Sequence, residues 1–107
     1  MPEEWRIVMI VLVNVFEIND SEENFERAFC AVSEVMRRQG GFGRHRLVRS
    51  ESTPTTYINV AEWTDERSLR AALAHPEVSR RVRTLMRSAT AVPQICRPVL
   101  DASRQEA

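Results

Sequence analysis

From Ile7 to Ile18 nearly every position is apolar and most are β-branched, broken only by Asn14 and Glu17. A run this continuously apolar predicts a strand covered on both faces rather than a half-exposed one. The pattern then turns helical. Phe25, Ala28, Phe29, Val32, Val35 and Met36 share one face, Asp20 or Ser21 precedes them as a cap, acids fill the first turn, Arg37 and Arg38 the last, and Gly40-Gly41 is the stop. Phe42 to Ser50 reads as a second strand whose Arg44, Arg46 and Arg49 suit an edge with a wetter face. The loop "ESTPT" leads into a third strand, Thr56 to Trp63. Thr64 is the expected cap of a second helix carrying Leu69, Ala72 and Leu73. Pro76 ends that helix and opens another segment with Val78, Val82, Leu85 and Met86 inward. Val92 to Val99 closes the chain as a fourth strand, an edge because of Pro93 and Pro98.

The order β-α-β-β-α-β is the split βαβ arrangement of an α+β, ferredoxin-like fold with a four-stranded sheet. The chain has 107 residues, one domain's worth, with residues 7–99 as the folded unit, 1–6 as an N-terminal extension and 100–107 as a tail expected to fray. A repeat supports the two halves. "VNVFEIND" and "INVAEWTD" superpose Asn14 on Asn59, Val15 on Val60, Glu17 on Glu62 and Asp20 on Asp65. Two βαβ halves about a pseudo-two-fold would make strands one and three the adjacent central pair. They are expected here to run parallel, with both Asn residues at the helix-proximal ends and close together.

Strand alternation groups Tyr57, Asn59, Ala61 and Trp63 with Ile10, Leu12, Asn14, Phe16 and Ile18 on one side of the sheet. That face is assigned to the helices, since Leu12, Phe16 and Trp63 supply bulk around a cavity. The opposite face, with Val11, Val13, Val15, Ile58 and Val60, is too apolar to meet water, so a second copy of the chain is expected to cover it as a homodimer.

Fifteen basic and fifteen acidic side chains cancel, so no overall field draws the chain to nucleic acid or an anionic membrane. No apolar run is long enough to span a bilayer, and the expected location is cytoplasmic. Cys30 and Cys96 have no metal spacing and read as small buried apolar groups. There is no phosphate loop, nucleophile elbow or metal-ligand cluster, and no metal or cofactor is expected.

Two carboxamides and an indole in an apolar cavity offer donors and acceptors that do not titrate near neutrality. They either satisfy one another and the backbone or await a flat aromatic guest bearing oxygens. The plainer alternative has Asn capping a turn and Trp filling the core. His75 before Pro76 reads as a cap, and His45 on the second strand could face either way. Of Arg80, Arg81, Arg83 and Arg87 most belong in solvent, while Arg83 or Arg80 could reach the pocket mouth and stabilise an anion.

The segments "YINVAEW", "GGFGRHRLVRS" and "LRAALAHPEV" resemble the antibiotic biosynthesis monooxygenase family, whose members are dimeric ferredoxin-like α/β barrels. The resemblance covers about Val8 to Val99 and is strongest toward the cofactor-independent, quinone-forming oxygenases of aromatic polyketide pathways. It implies Asn14, Asn59 and Trp63 as catalytic, with Arg83 as the match to an Arg used by some members. It further implies a substrate pocket of Leu12, Phe16, Tyr57, Phe25, Phe29, Leu69 and Leu73, an aromatic polyketide substrate and dioxygen. A pocket Tyr found in some members is replaced by Leu69. The haem-degrading branch needs a His and a Trp that "RRVRTL" and "LRAALA" lack. A polyketide cyclase or aldol-type enzyme, or a non-catalytic binding dimer, are the competing readings of the same fold.

Overall fold

The computed structural model describes residues 9–105; the expected extension 1–6, Ile7 and Val8 at the start of the first strand, and the last two tail residues lie outside it. Its elements are β1 (Ile10–Ile18), α1 (Glu22–Met36), β2 (Phe42–Arg49), β3 (Thr56–Trp63), α2 (Glu66–Ala74), α3 (Pro76–Leu85) and β4 (Ala89–Cys96). The four strands form one sheet in the order β2-β3-β1-β4, with β2 and β4 as the edges.

Every neighbouring pair is antiparallel, including β1 with β3. The parallel central pair expected from the repeat is therefore corrected, and the reason is geometric. A pseudo-two-fold axis normal to the sheet reverses strand direction, so two strands related by it must run antiparallel. Only residues at the axis can be repeat equivalents and register partners at once. Asn14 pairs with Asn59 and is such a residue, in the middle of its strand and not at the helix-proximal end.

Local signals set the helix ends. The Ser21 hydroxyl accepts from the Asn24 N–H at 3.1 Å and opens α1. At α2 the cap is Asp65, whose carboxylate accepts from the Ser68 N–H at 2.7 Å, and not Thr64. Thr64 is held one step earlier, its N–H donating to the Gly41 carbonyl. Gly41 has φ +84°, and a Cβ there would meet the side chains of Ser68 and Thr64, so glycine is required where α1 hands over to β2. His75 ends α2 and starts α3 beside Pro76, accepting from the Glu77 N–H through Nδ1 as the sequence suggested. Arg37 and Arg38 fall just beyond α1, not in its last turn.

The helices pack on the sheet face expected from alternation. Phe25, Phe29 and Val32 of α1 meet Phe16, Tyr57, Leu85 and Ala89, while Leu69 and Ala72 of α2 meet Ile10, Ala61 and Trp63. β4 starts earlier and stops sooner than the expected Val92 to Val99, because the small residues of "SATA" carry little hydrophobic signal although Ala89 is buried. Beyond β4 the described residues form no helix or strand. The cysteines are not buried: Cys30 follows Phe29 onto the solvent side of α1, and Cys96 is half-buried on an edge strand. No helix among the described residues is long and apolar enough to cross a membrane.

Candidate active site

Between the sheet and the helices lies a cavity of about 90 Å³, floored by Leu12, Asn14 and Phe16 of β1 and by Asn59, Ala61 and Trp63 of β3. Phe29, Val32 and Met36 of α1 form one wall, Phe42 and His45 of β2 another, and Val82, Leu85, Met86 and Leu73 close the helix side. Leu73 and Met86 are also exposed to solvent, which places the mouth between α2 and α3.

Two polar atoms in this apolar space are fully buried without a hydrogen-bond partner among the described residues: Asn14 Oδ1 and Trp63 Nε1. Trp63 is 1% exposed, so its indole N–H is shielded from bulk solvent. An orphaned group of this kind costs about 1–3 kcal/mol. Folds keep few of them without use, and one acceptor and one donor on the same cavity wall describe a polar ligand. The mid-strand position of both Asn residues also removes the turn-capping alternative.

Asn59, 8% exposed, is tied instead to β2. His45 Nδ1 lies 3.2 Å from Asn59 Oδ1, and His45 Nε2 lies 2.8 Å from the Ser33 hydroxyl of α1. The imidazole stacks on Phe29 at 5.7 Å between centroids and meets the edge of Phe42 at 5.5 Å. Phe42 in turn stands edge-on to Trp63 at 5.2 Å. The sequence left the direction of His45 open because β2 is irregular at its start. Phe42 pairs with Trp63 and Arg44 with Glu62, so Gly43 is an extra residue. A Cβ at Gly43 would sit 2.9 Å from the Glu62 carbonyl oxygen, which explains glycine in the bulge. Beyond it Arg44, Arg46 and Val48 take the outer face while His45 and Leu47 point inward. The signal was the interleaving of Arg with His and Leu, legible only once the bulge is known. Ser33 carried no signal at all.

Burial pushes the His45 imidazole below its ordinary range, the Asn59 hydrogen bond pulls it partly back up, and the Arg37 charge adds to the lowering. The native group therefore stays neutral while the unfolded chain binds a proton near pH 6.5. Its contribution to stability is intact above that pH and is lost as pH falls from there toward the native pKa. The melting temperature of the native chain relative to a His45→Asn variant is expected to decline between about pH 7.5 and 5.5. A constant difference would mean that the two states titrate alike.

Of the residues named from sequence, Asn14, Asn59, Trp63, Leu12, Phe16, Phe29 and Leu73 line the cavity. Tyr57, Phe25 and Leu69 do not; they are fully packed core. The Tyr57 hydroxyl donates to Glu26 at 2.6 Å, away from the cavity, and burial with that carboxylate pushes its pKa up to about 12. Arg83 is exposed and donates to the Ser79 hydroxyl at 3.0 Å, and Arg80 pairs with Glu77, so neither reaches the cavity. Helical spacing placed them on the polar face of α3, and that face turns to solvent. Among the described residues no three His, Cys, Asp or Glu side chains come together as metal ligands.

The fold and site define a ferredoxin-like domain enclosing a small apolar cavity whose polar groups are amides, an indole and one neutral imidazole. The chain belongs to the antibiotic biosynthesis monooxygenase family, whose sequence profile matches residues 9–84. Over 67 residues it is 37% identical to deoxynogalonate monooxygenase of Streptomyces nogalater, a stretch covering 63% of this chain and 57% of that protein. The chain thus spans little more than half the length of that relative. SnoaB, a cofactor-independent oxygenase from Streptomyces nogalater, has the same fold with a TM-score of 0.79 at 29% identity, over 92% of this chain and 96% of its own. A conserved protein from Methanosarcina mazei Go1 reaches a TM-score of 0.81 over 90% of this chain and 98% of its own, and at 15% identity that likeness is one of fold alone.

Proposed function

We propose that this protein is a cofactor-independent monooxygenase that oxidises an anthrone or hydroquinone-like aromatic polyketide intermediate to a quinone with dioxygen. The observation that carries the reading is the pair of orphaned polar atoms, Trp63 Nε1 and Asn14 Oδ1, in an otherwise apolar cavity. The likeness to relatives described as monooxygenases and as a cofactor-independent oxygenase supports it.

The substrate loses an acidic C–H or O–H proton to water at the cavity mouth, and its electron-rich anion passes one electron to dioxygen. Recombination of the radical pair forms a C–O bond, and the resulting hydroperoxide loses water to leave the quinone carbonyl. The proton lost at the start returns in that water. Trp63 N–H and the Asn59 amide would hold the substrate oxygen as negative charge builds, and Asn14 Oδ1 would accept from a neighbouring hydroxyl. The cavity is smaller than the roughly 300 Å³ at the low end of ligand pockets. A polycyclic guest therefore requires the unbranched Met36 and Met86 side chains and Leu73 to swing outward at the mouth.

The same reading places the protein in the cytoplasm as a homodimer. Val13 and Val60 are register partners at the centre of the sheet face without helices, beside Val48 and Val92, and Val60 and Val92 are exposed in the single chain. Light scattering is expected to give twice the chain mass, and a monomer at micromolar concentration would remove this part of the reading.

The deciding experiment is dioxygen uptake by the purified protein given a simple anthrone, with a chelator present. Uptake well above the uncatalysed rate supports the reading. No uptake, with the anthrone bound, overturns it in favour of a cyclase or aldol-type enzyme.

A further inference from the structure

Among the described residues His45 is the one titratable side chain lining the cavity, and it has both ring nitrogens engaged. A carboxamide oxygen only accepts, so the 3.2 Å contact between His45 Nδ1 and Asn59 Oδ1 requires the proton on Nδ1. In the neutral ring Nε2 then accepts, and the Ser33 hydroxyl at 2.8 Å donates to it. The stack on Phe29 and the edge of Phe42 fix the ring plane. Neither nitrogen is left to take a proton from a ligand.

We propose that His45 is a positioning residue, anchored by Ser33, that captures Asn59 Oδ1 and so turns the Asn59 amide N–H₂ into the cavity that Trp63 also lines. The proposal rests on the role given to Asn59 above. Its consequence is a site with two donors, from Asn59 and Trp63, and one acceptor, Asn14 Oδ1. The matching ligand carries an oxygen that gains negative charge next to a hydroxyl that can donate. Without His45 the Asn59 amide is free to turn over. Two carbonyl oxygens, Asn14 and Asn59, would then face the developing anion and repel it.

His75 supplies an internal contrast. Its Nδ1 accepts from the Glu77 N–H, so its neutral ring carries the proton on Nε2. The two histidines of the chain are thus assigned opposite tautomers, which is a spectroscopic statement independent of any activity.

The test joins nitrogen NMR of the histidine-labelled full chain to variants at position 45. Just above neutral pH, one imidazole is expected to be protonated on Nδ1, with its signals absent from His45→Asn, and the other on Nε2. An Nε2-protonated His45 overturns the proposal. His45→Asn keeps an N–H where Nδ1 stands and does not titrate. It is expected to keep anthrone kcat within about threefold of the native chain, whereas His45→Leu loses about tenfold or more in kcat and also raises KM, since the turned amide meets the ground-state carbonyl as well as the developing anion. Binding of 1,8-dihydroxyanthraquinone, followed by its fluorescence, is expected to weaken about tenfold in His45→Leu and to recover in His45→Asn. If His45→Asn is as impaired as His45→Leu while its melting temperature is native-like, the imidazole itself does the chemistry and the positioning role is wrong. Absent oxygen uptake with the tautomer and binding results intact would sink the oxygenase reading and leave the positioning role standing.

Discussion

Replacing Asn59 by Ala is expected to lower anthrone turnover at least about tenfold, toward the hundredfold typical of a lost oxyanion donor, while the chain stays folded. The side chain sits at the pseudo-two-fold axis opposite Asn14, on the floor of the cavity, with its oxygen held by His45. Truncation removes the amide donor and also leaves the His45 Nδ1–H without its acceptor. Part of the loss should therefore appear as a small fall in melting temperature. The informative comparison is the ratio of kcat to the change in KM. An interaction made only as charge develops lowers kcat and kcat/KM together, whereas one made equally with the ground state raises KM alone. Adding Trp63→Phe removes the second donor without removing a ring from the core, and the double variant is expected to fall further. Unchanged turnover in Asn59→Ala would take that residue out of the mechanism.

Phe25→Ala is expected to have the largest effect on stability, about 3–5 kcal/mol. Phe25 is completely buried, with ring centroids 5.3 Å from Phe16 and 4.7 Å from Tyr57, at the centre of the larger core cluster. A domain of this size has roughly 5–15 kcal/mol in total, so the substitution removes a large share of it. Chemical denaturation followed by circular dichroism reads the shift in midpoint. A loss under about 1 kcal/mol would show that α1 collapses onto the sheet to fill the space. Because Phe25 does not line the cavity, KM measured well below the melting temperature should stay near the native value.

These two positions illustrate how differently fold and site could be read from the chain. Phe25 was placed inward by helical spacing alone, and the same spacing found each helix, although α1 was read through Arg37 and Arg38 and ends at Met36. What it could not tell was that Phe25, Tyr57 and Leu69 are core and not cavity wall. Both environments demand an apolar side chain, and the difference between filled and unfilled space appears only when the helices are docked. Arg83 was misplaced for a related reason: periodicity says which face of α3 is polar, and docking decides where that face looks. Cys30 and Thr64 moved by a single position each, and at a helix surface or a cap one residue is enough to exchange inside for outside or cap for loop.

By itself the sequence determined the order of elements, the face of the sheet that meets the helices, and the nearness of Asn14 to Asn59 though not their register, because these follow from hydrophobic period and an internal repeat. Only the tertiary structure decided the antiparallel sense of the central pair, the inward turn of His45 past the Gly43 bulge, and its clamp between Ser33 and Asn59. Those depend on contacts between residues far apart in the chain and on one extra residue in a strand. Local pattern carries no term for either, since a hydrogen bond from β2 to β3 or α1 leaves no periodic trace in the order of the amino acids.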